Sequence, residues 1–163
     1  MNKDIRAIFA GSFDPITNGH LDIIERASKL FAELKIGLLI NPNKSTLFTV
    51  EERVNLIKES VQHLDNVEVI FFDGLLIDYC RNNDISVLVR GVRSSADVDY
   101  ELQMAHMNKE LENEIETVIL PTNTKYSFIS SSLIKEVIKF NASIDRLVPN
   151  CVARELKNKD FSK

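Results

Sequence analysis

Short apolar runs alternate along this chain with stretches whose apolar residues recur at helical spacing. Ile5-Arg6-Ala7-Ile8-Phe9-Ala10 reads as a short buried strand, and Leu21-Asp22-Ile23-Ile24-Glu25-Arg26-Ala27 as an amphipathic helix. The pattern then repeats, with strands predicted over 34–40, 67–71, 85–89 and 116–120. Thr49-Val50-Glu51-Glu52 has the spacing of a capping box, in which threonine and glutamate satisfy each other's exposed N–H groups, and should open a helix to about His63. Further helices are predicted over 75–81 and 97–111, from Ser130, and from about Pro149 to Lys157, with loops over 41–48 and 121–129.

Strand-helix alternation of this kind implies a parallel sheet covered on both faces. The expected fold is α/β: a Rossmann-like, doubly wound, five-stranded parallel sheet in a single domain. In open sheets of this class, ligands bind beyond the carboxyl ends of the strands, where the winding reverses. The loops richest in candidate chemistry follow strands one, two, four and five. They therefore share one sheet edge and predict one composite site.

Composition narrows the function. With 163 residues, 27% charged and 44% hydrophobic, the chain suits one globular domain. A net charge of -4 argues against a general nucleic-acid or membrane-surface role, so any anionic ligand must meet locally placed cations. No apolar run approaches the ~18 residues of a membrane span. Met1-Asn2-Lys3-Asp4-Ile5 lacks the apolar core of a signal peptide, and a cytoplasmic protein is expected. Cys80 and Cys151 have no metal or disulfide spacing and read as reduced packing residues. His63 and His106 read as structural.

The densest signal is Gly11-Ser12-Phe13-Asp14-Pro15-Ile16-Thr17-Asn18-Gly19-His20, between the first strand and its helix. A helix opening leaves backbone N–H groups unpaired at the positive end of its dipole, which suits phosphate. Gly19 permits close approach and His20 can donate to a phosphoryl oxygen. Lys44, in Asn41-Pro42-Asn43-Lys44-Ser45, is either a solvated loop lysine or a reach toward the His20 turn. Arg90-Gly91-Val92-Arg93 closes the fourth strand; each arginine either pairs with Asp97, Asp99 or Glu101, or faces a ligand, since an unpaired buried guanidinium is unfavourable. In Tyr126-Ser127-Phe128-Ile129-Ser130-Ser131-Ser132, one serine suffices to cap a helix, and the extra hydroxyls would suit a triphosphate. There is no Gly-x-x-x-x-Gly-Lys-Ser/Thr run, which disfavours a P-loop kinase.

Thr17-Asn18-Gly19-His20 and Ile129-Ser130-Ser131 resemble the paired Thr-x-Gly-His and Ile-Ser-Ser signatures of the nucleotidylyltransferase superfamily. From Ile8 to about Leu156 the chain more closely resembles the bacterial phosphopantetheine adenylyltransferases, although Ser12 stands where that family often has threonine. The resemblance implies strand order 3-2-1-4-5 and transfer of the adenylyl group of ATP to 4′-phosphopantetheine. The products would be dephospho-CoA and pyrophosphate, formed by in-line attack without a covalent enzyme intermediate, with Mg²⁺ on the triphosphate. His20, Lys44 and Arg90 are the expected catalytic residues and can supply the positive field such a transfer needs. The resemblance implies nucleotide contacts from Ser12, Phe13, His20, Gly91, Val92, Arg93, Glu101 and residues Tyr126, Ser127, Phe128, Ile129, Ser130, Ser131 and Ser132. Ser12, Lys44, Leu76 and Arg90 would bind the acceptor, although Leu76 alone reads as a core leucine. A homohexamer and feedback binding of coenzyme A are also implied. The alternatives are a small nucleotidylyltransferase with nicotinamide mononucleotide or an alcohol phosphate as acceptor, and a non-catalytic nucleotide sensor. Leu102-Gln103-Met104-Ala105-His106-Met107 is apolar around more than one helix face, which fits either a second buried surface or a deep core helix.

Overall fold

Residues 5–41, 45–140 and 142–159 are described by a computed structural model. Five strands, β1 (Arg6–Gly11), β2 (Glu33–Leu39), β3 (Val67–Phe72), β4 (Val87–Val92) and β5 (Glu116–Pro121), form one sheet in the order β3-β2-β1-β4-β5. Every neighbouring pair is parallel. The expected doubly wound topology is therefore present, with β1 central and the winding reversing between β1 and β4.

Six α-helices connect and cover these strands among the described residues: α1 (Asn18–Ser28), α2 (Val50–Val61), α3 (Leu76–Asn82), α4 (Ser95–Leu111), α5 (Ser131–Val137) and α6 (Asn150–Asn158). Side chains of a strand alternate between its two faces. Ala7, Phe9, Leu34, Ile36, Leu38, Val87 and Val89 accordingly face one side, where they pack with residues of α1, α2, α5 and α6. Ile8, Ala10 and Leu88 face the other, against Phe72, Ile77, Cys80 and Ile115. Gly37 belongs to this second face; a Cβ there would meet Ile8 Cδ1 and Phe72 Cε1, each at 2.9 Å.

Boundaries differ from expectation where a polar residue interrupts an apolar pattern. β4 runs on through Arg90, Gly91 and Val92, which continue its register with Ile119, Leu120 and Pro121 of β5. α4 starts two residues early because the Ser94 hydroxyl accepts the Asp97 N–H at 3.3 Å. α1 begins at Asn18, capped by Thr17, and α2 ends at Val61 instead of His63.

α4 is not a core helix. Only Glu101 among its 17 residues is buried, while Leu102 and Met107 are 45% and 57% exposed. Cys80 and Cys151 are both free and buried, one in each core, and burial pushes the Cys80 thiol up to about 12. His63 forms a surface pair with Glu25 at 2.9 Å. No helix among the described residues is long and apolar enough to cross a membrane.

Candidate active site

The carboxyl ends of β1, β4 and β5 open into a cleft of about 370 Å³, a size suited to a small ligand. The β1–α1 turn forms its floor. Thr17 caps α1 reciprocally with His20: its hydroxyl lies 3.4 Å from the His20 N–H, and its own N–H donates to His20 Nδ1 at 3.0 Å. A backbone N–H can only donate, so Nδ1 is an acceptor and the ring proton sits on Nε2. Phe13 packs edge-on against the imidazole, with ring centroids 5.2 Å apart, and holds its plane. Phe13 itself lies at φ 43°, a left-handed conformation that a bulky residue adopts only where its surroundings enforce it.

Burial, then Arg93 and Arg90, push the His20 imidazole down to about 4. His20 is therefore neutral at physiological pH. This corrects the expectation that it contributes positive charge: it offers an Nε2–H donor, and the charge comes from the arginines.

Both arginines are paired and border the cleft. Arg90 grips Glu101 through Nε at 2.7 Å and Nη2 at 2.8 Å, and donates from Nη1 to the Ala10 carbonyl at 2.9 Å. Glu101 is 7% exposed, so its carboxylate is compensated almost entirely by this fork. Arg93 pairs with Asp97 at 3.1 Å and donates to the Ile129 carbonyl at 3.2 Å. These contacts hold Asp97 below the usual carboxylate range despite its partial burial. Each guanidinium carries five N–H groups and uses three on these partners, so pairing and ligand binding are compatible. Asp99 is exposed and is the partner of neither.

The β5–α5 loop forms the far wall. Ser130 caps α5 by accepting the Leu133 N–H at 3.0 Å, which leaves its hydroxyl proton free. The Ser131 hydroxyl donates to the Pro15 carbonyl at 2.7 Å and so joins α5 to the β1 turn. Ser130 and Ser131 border the cleft, whereas Ser132 is exposed outside it.

A profile of cytidylyltransferase-like proteins matches residues 8–137. A phosphopantetheine adenylyltransferase of Clostridium novyi is 53% identical over 153 residues, covering 94% of this chain and 95% of the relative. One of Prochlorococcus marinus subsp. pastoris is 48% identical over 154 residues, covering 94% and 97%. The chain belongs to the phosphopantetheine adenylyltransferase family. The fold is also similar to a solved structure from Vibrio parahaemolyticus, provisionally assigned as a nicotinate-nucleotide adenylyltransferase. Their TM-score is 0.67 at 18% identity, over 94% of this chain and 91% of that one.

Within this family member, the cleft gathers Ser12, Phe13, His20, Arg90, Gly91, Arg93, Glu101, Ile129, Ser130 and Ser131, all anticipated from sequence. Val92, Tyr126, Ser127 and Phe128 do not line it; Val92 points into the protein and Phe128 is exposed. Leu76 is half-buried, packs against the edge of the second core and does not border the cleft. Lys44 lies outside the described residues. Ile23 and Thr122 line the cleft without having been anticipated. Ile23 is indistinguishable by pattern from a core residue. Thr122 follows β5 directly, so the strand-end rule that located the other loops could have found it.

Proposed function

We propose that this protein joins ATP to 4′-phosphopantetheine, forming dephospho-CoA and pyrophosphate in coenzyme A biosynthesis. The convergence of the His20 donor, Arg90 and Arg93 on one cleft carries the reading, together with the names of relatives about half identical over nearly the whole chain. A phosphate oxygen of the acceptor attacks the α-phosphorus of ATP. The bond to the bridging oxygen breaks, and pyrophosphate leaves with the electron pair. A phosphomonoester with a second pKa near ~6 is already anionic at neutral pH, so the nucleophile requires no general base. The protein's task is to align two repelling anions and stabilise charge on the transferring group.

In this scheme His20 donates from Nε2 to the α-phosphoryl group, Arg90 and Lys44 hold the acceptor phosphate, and Arg93 with the Ser130–Ser131 turn holds the nucleotide phosphates. The remaining ATP contacts are assigned to Ser12, Phe13, Gly91, Glu101 and Ile129, which line the cleft. Leu76, outside the cleft, is assigned to the pantetheine arm where that arm continues beyond the phosphate. ATP enters as its magnesium complex. The cleft carboxylates Asp97 and Glu101 are each engaged by an arginine, so triphosphate oxygens and water would supply the magnesium ligands. Coenzyme A contains both arms of the product and would compete for the same cleft as a feedback ligand. The setting is cytoplasmic.

A panel of acceptors with ATP, scored by pyrophosphate release, tests the assignment. 4′-Phosphopantetheine should exceed nicotinamide mononucleotide and glycerol 3-phosphate in kcat/KM by about tenfold to a few hundredfold, the discrimination that apolar contacts along one arm can give. A higher kcat/KM for either competitor would replace the acceptor while leaving adenylyl transfer in place.

The protein is further proposed to be a homohexamer. Tyr100, Leu102, Met104, Met107 and Leu111 leave α4 with large exposed apolar residues, which removes the deep-core explanation of its composition. Light scattering at micromolar concentration should give a mass near six chains, and a one-chain mass would refute assembly.

A further inference from the structure

Asp14 lies behind the cleft floor and is only 2% exposed. Its Oδ1 accepts the Leu47 and Phe48 N–H groups, each at 3.0 Å; Oδ2 accepts the Leu47 N–H at 2.9 Å and the Lys135 ammonium at 3.2 Å. Three segments distant in sequence thus meet on one carboxylate: the β1–α1 turn, the backbone entering α2, and the second turn of α5. Lys135 is the only ion-pair partner of Asp14 among the described residues. A second link runs in parallel, since the buried Arg53 of α2 donates to the Ser12 carbonyl at 2.9 Å.

A buried carboxylate is tolerated where charge and lone pairs are both satisfied. Here two backbone N–H groups and one ammonium do so, and each comes from a segment that borders or leads into the site. Leu47 follows Lys44 by three residues in sequence, so the node holds the backbone just beyond it. The partner charge, however, comes from α5, whose opening serines line the opposite wall.

We propose that Asp14 and Lys135 are positioning residues that seat residues 47–48 against the His20 turn and tie their placement to that of α5. The functional consequence rests on the reading in which Lys44 holds the acceptor phosphate. Among the described residues the Lys135 ammonium meets Asp14, so its effect on residues 47–48 is carried by that carboxylate.

Lys135→Met in the full chain is the test, because Lys135 is partly exposed and its loss spares the Asp14 backbone contacts. Hydrogen exchange at the Leu47 and Phe48 amides should accelerate about tenfold, with β1 and β4 amides unchanged. The Kd for 4′-phosphopantetheine, titrated alone, should rise about three- to tenfold, and Lys135→Arg should restore it. In a Lys44→Ala background, Lys135→Met should add no further loss, because the two act through one route. Unchanged exchange at Leu47 and Phe48, or additive losses in the double variant, would overturn the proposal. If exchange accelerates but the wild-type protein does not bind 4′-phosphopantetheine, the node stands and the acceptor assignment falls.

Discussion

His20→Ala should lower turnover about 10²–10³-fold while leaving the binding of both substrates within a few-fold of wild type, since it removes one donor to the transferring phosphoryl group. The geometry specifies which donor is lost. Thr17 occupies Nδ1 through its N–H at 3.0 Å, so the effect belongs to Nε2–H. His20→Gln, which can place an amide N–H in a similar position, should recover part of the loss. A purified His20→Ala with near-normal kcat would remove His20 from the mechanism.

The same residue predicts the shape of the pH profile. An ordinary histidine titrates near 6.5, whereas His20 is pushed down to about 4. Between pH 8 and 5 its ring stays neutral in the free enzyme, and kcat/KM should show no inflection from it. Any fall below about pH 6 should come from protonation of the acceptor phosphate, and should persist in His20→Gln. Stability behaves differently. Below pH 6.5 the unfolded chain takes up a proton at this histidine and the folded one does not, so His20 lowers stability progressively as pH falls from 6.5 toward 4. Thermal melts of His20→Gln should therefore decline less steeply over that window. Parallel melting curves for the two proteins would show that the ring is not held neutral by the fold.

The arrangement that produces this behaviour was only partly legible in the chain. Alternating apolar runs and helical spacings are enough for a covered parallel sheet, because both are local consequences of burial. The strand order is not local, and came from resemblance. Arg90-Gly91 interrupts the apolar run, so β4 seemed to stop at Val89; register with β5 carries it to Val92. The strand-end rule gathered the loops after β1, β4 and β5, whereas no described residue of the loop after β2 lines the cleft, and the Gly-His and serine motifs marked two of its walls. The protonation state of His20 was hidden, since it depends first on burial in the folded cleft and then on arginines about 70 residues away. Asp14 read as part of a turn because its partners stand 33 and 121 positions distant. The arginine question stayed open for a chemical reason: a guanidinium has enough N–H groups to satisfy a carboxylate and a ligand together.

That dual use gives the prediction with the largest combined effect. Arg90→Ala should weaken 4′-phosphopantetheine binding roughly ten- to a hundredfold, the loss of one or two charge-assisted hydrogen bonds, with a smaller effect on ATP. Arg93→Ala should show the reverse preference, because Arg93 is tied to the Ile129 carbonyl on the nucleotide wall. Arg90→Ala should also destabilise the fold, since it strands the Glu101 carboxylate, 7% exposed, without its fork of donors. Breaking a buried pair costs about 3–5 kcal/mol, and the partial exposure of Arg90 places this case toward or below the lower end. The double variant Arg90→Ala/Glu101→Gln separates the two roles. Glutamine removes the stranded charge, so the melting temperature should recover most of its loss, while acceptor affinity stays weak because no guanidinium has returned. If affinity recovers along with stability, Arg90 acts only by supporting the structure, and the acceptor phosphate must be held by other groups.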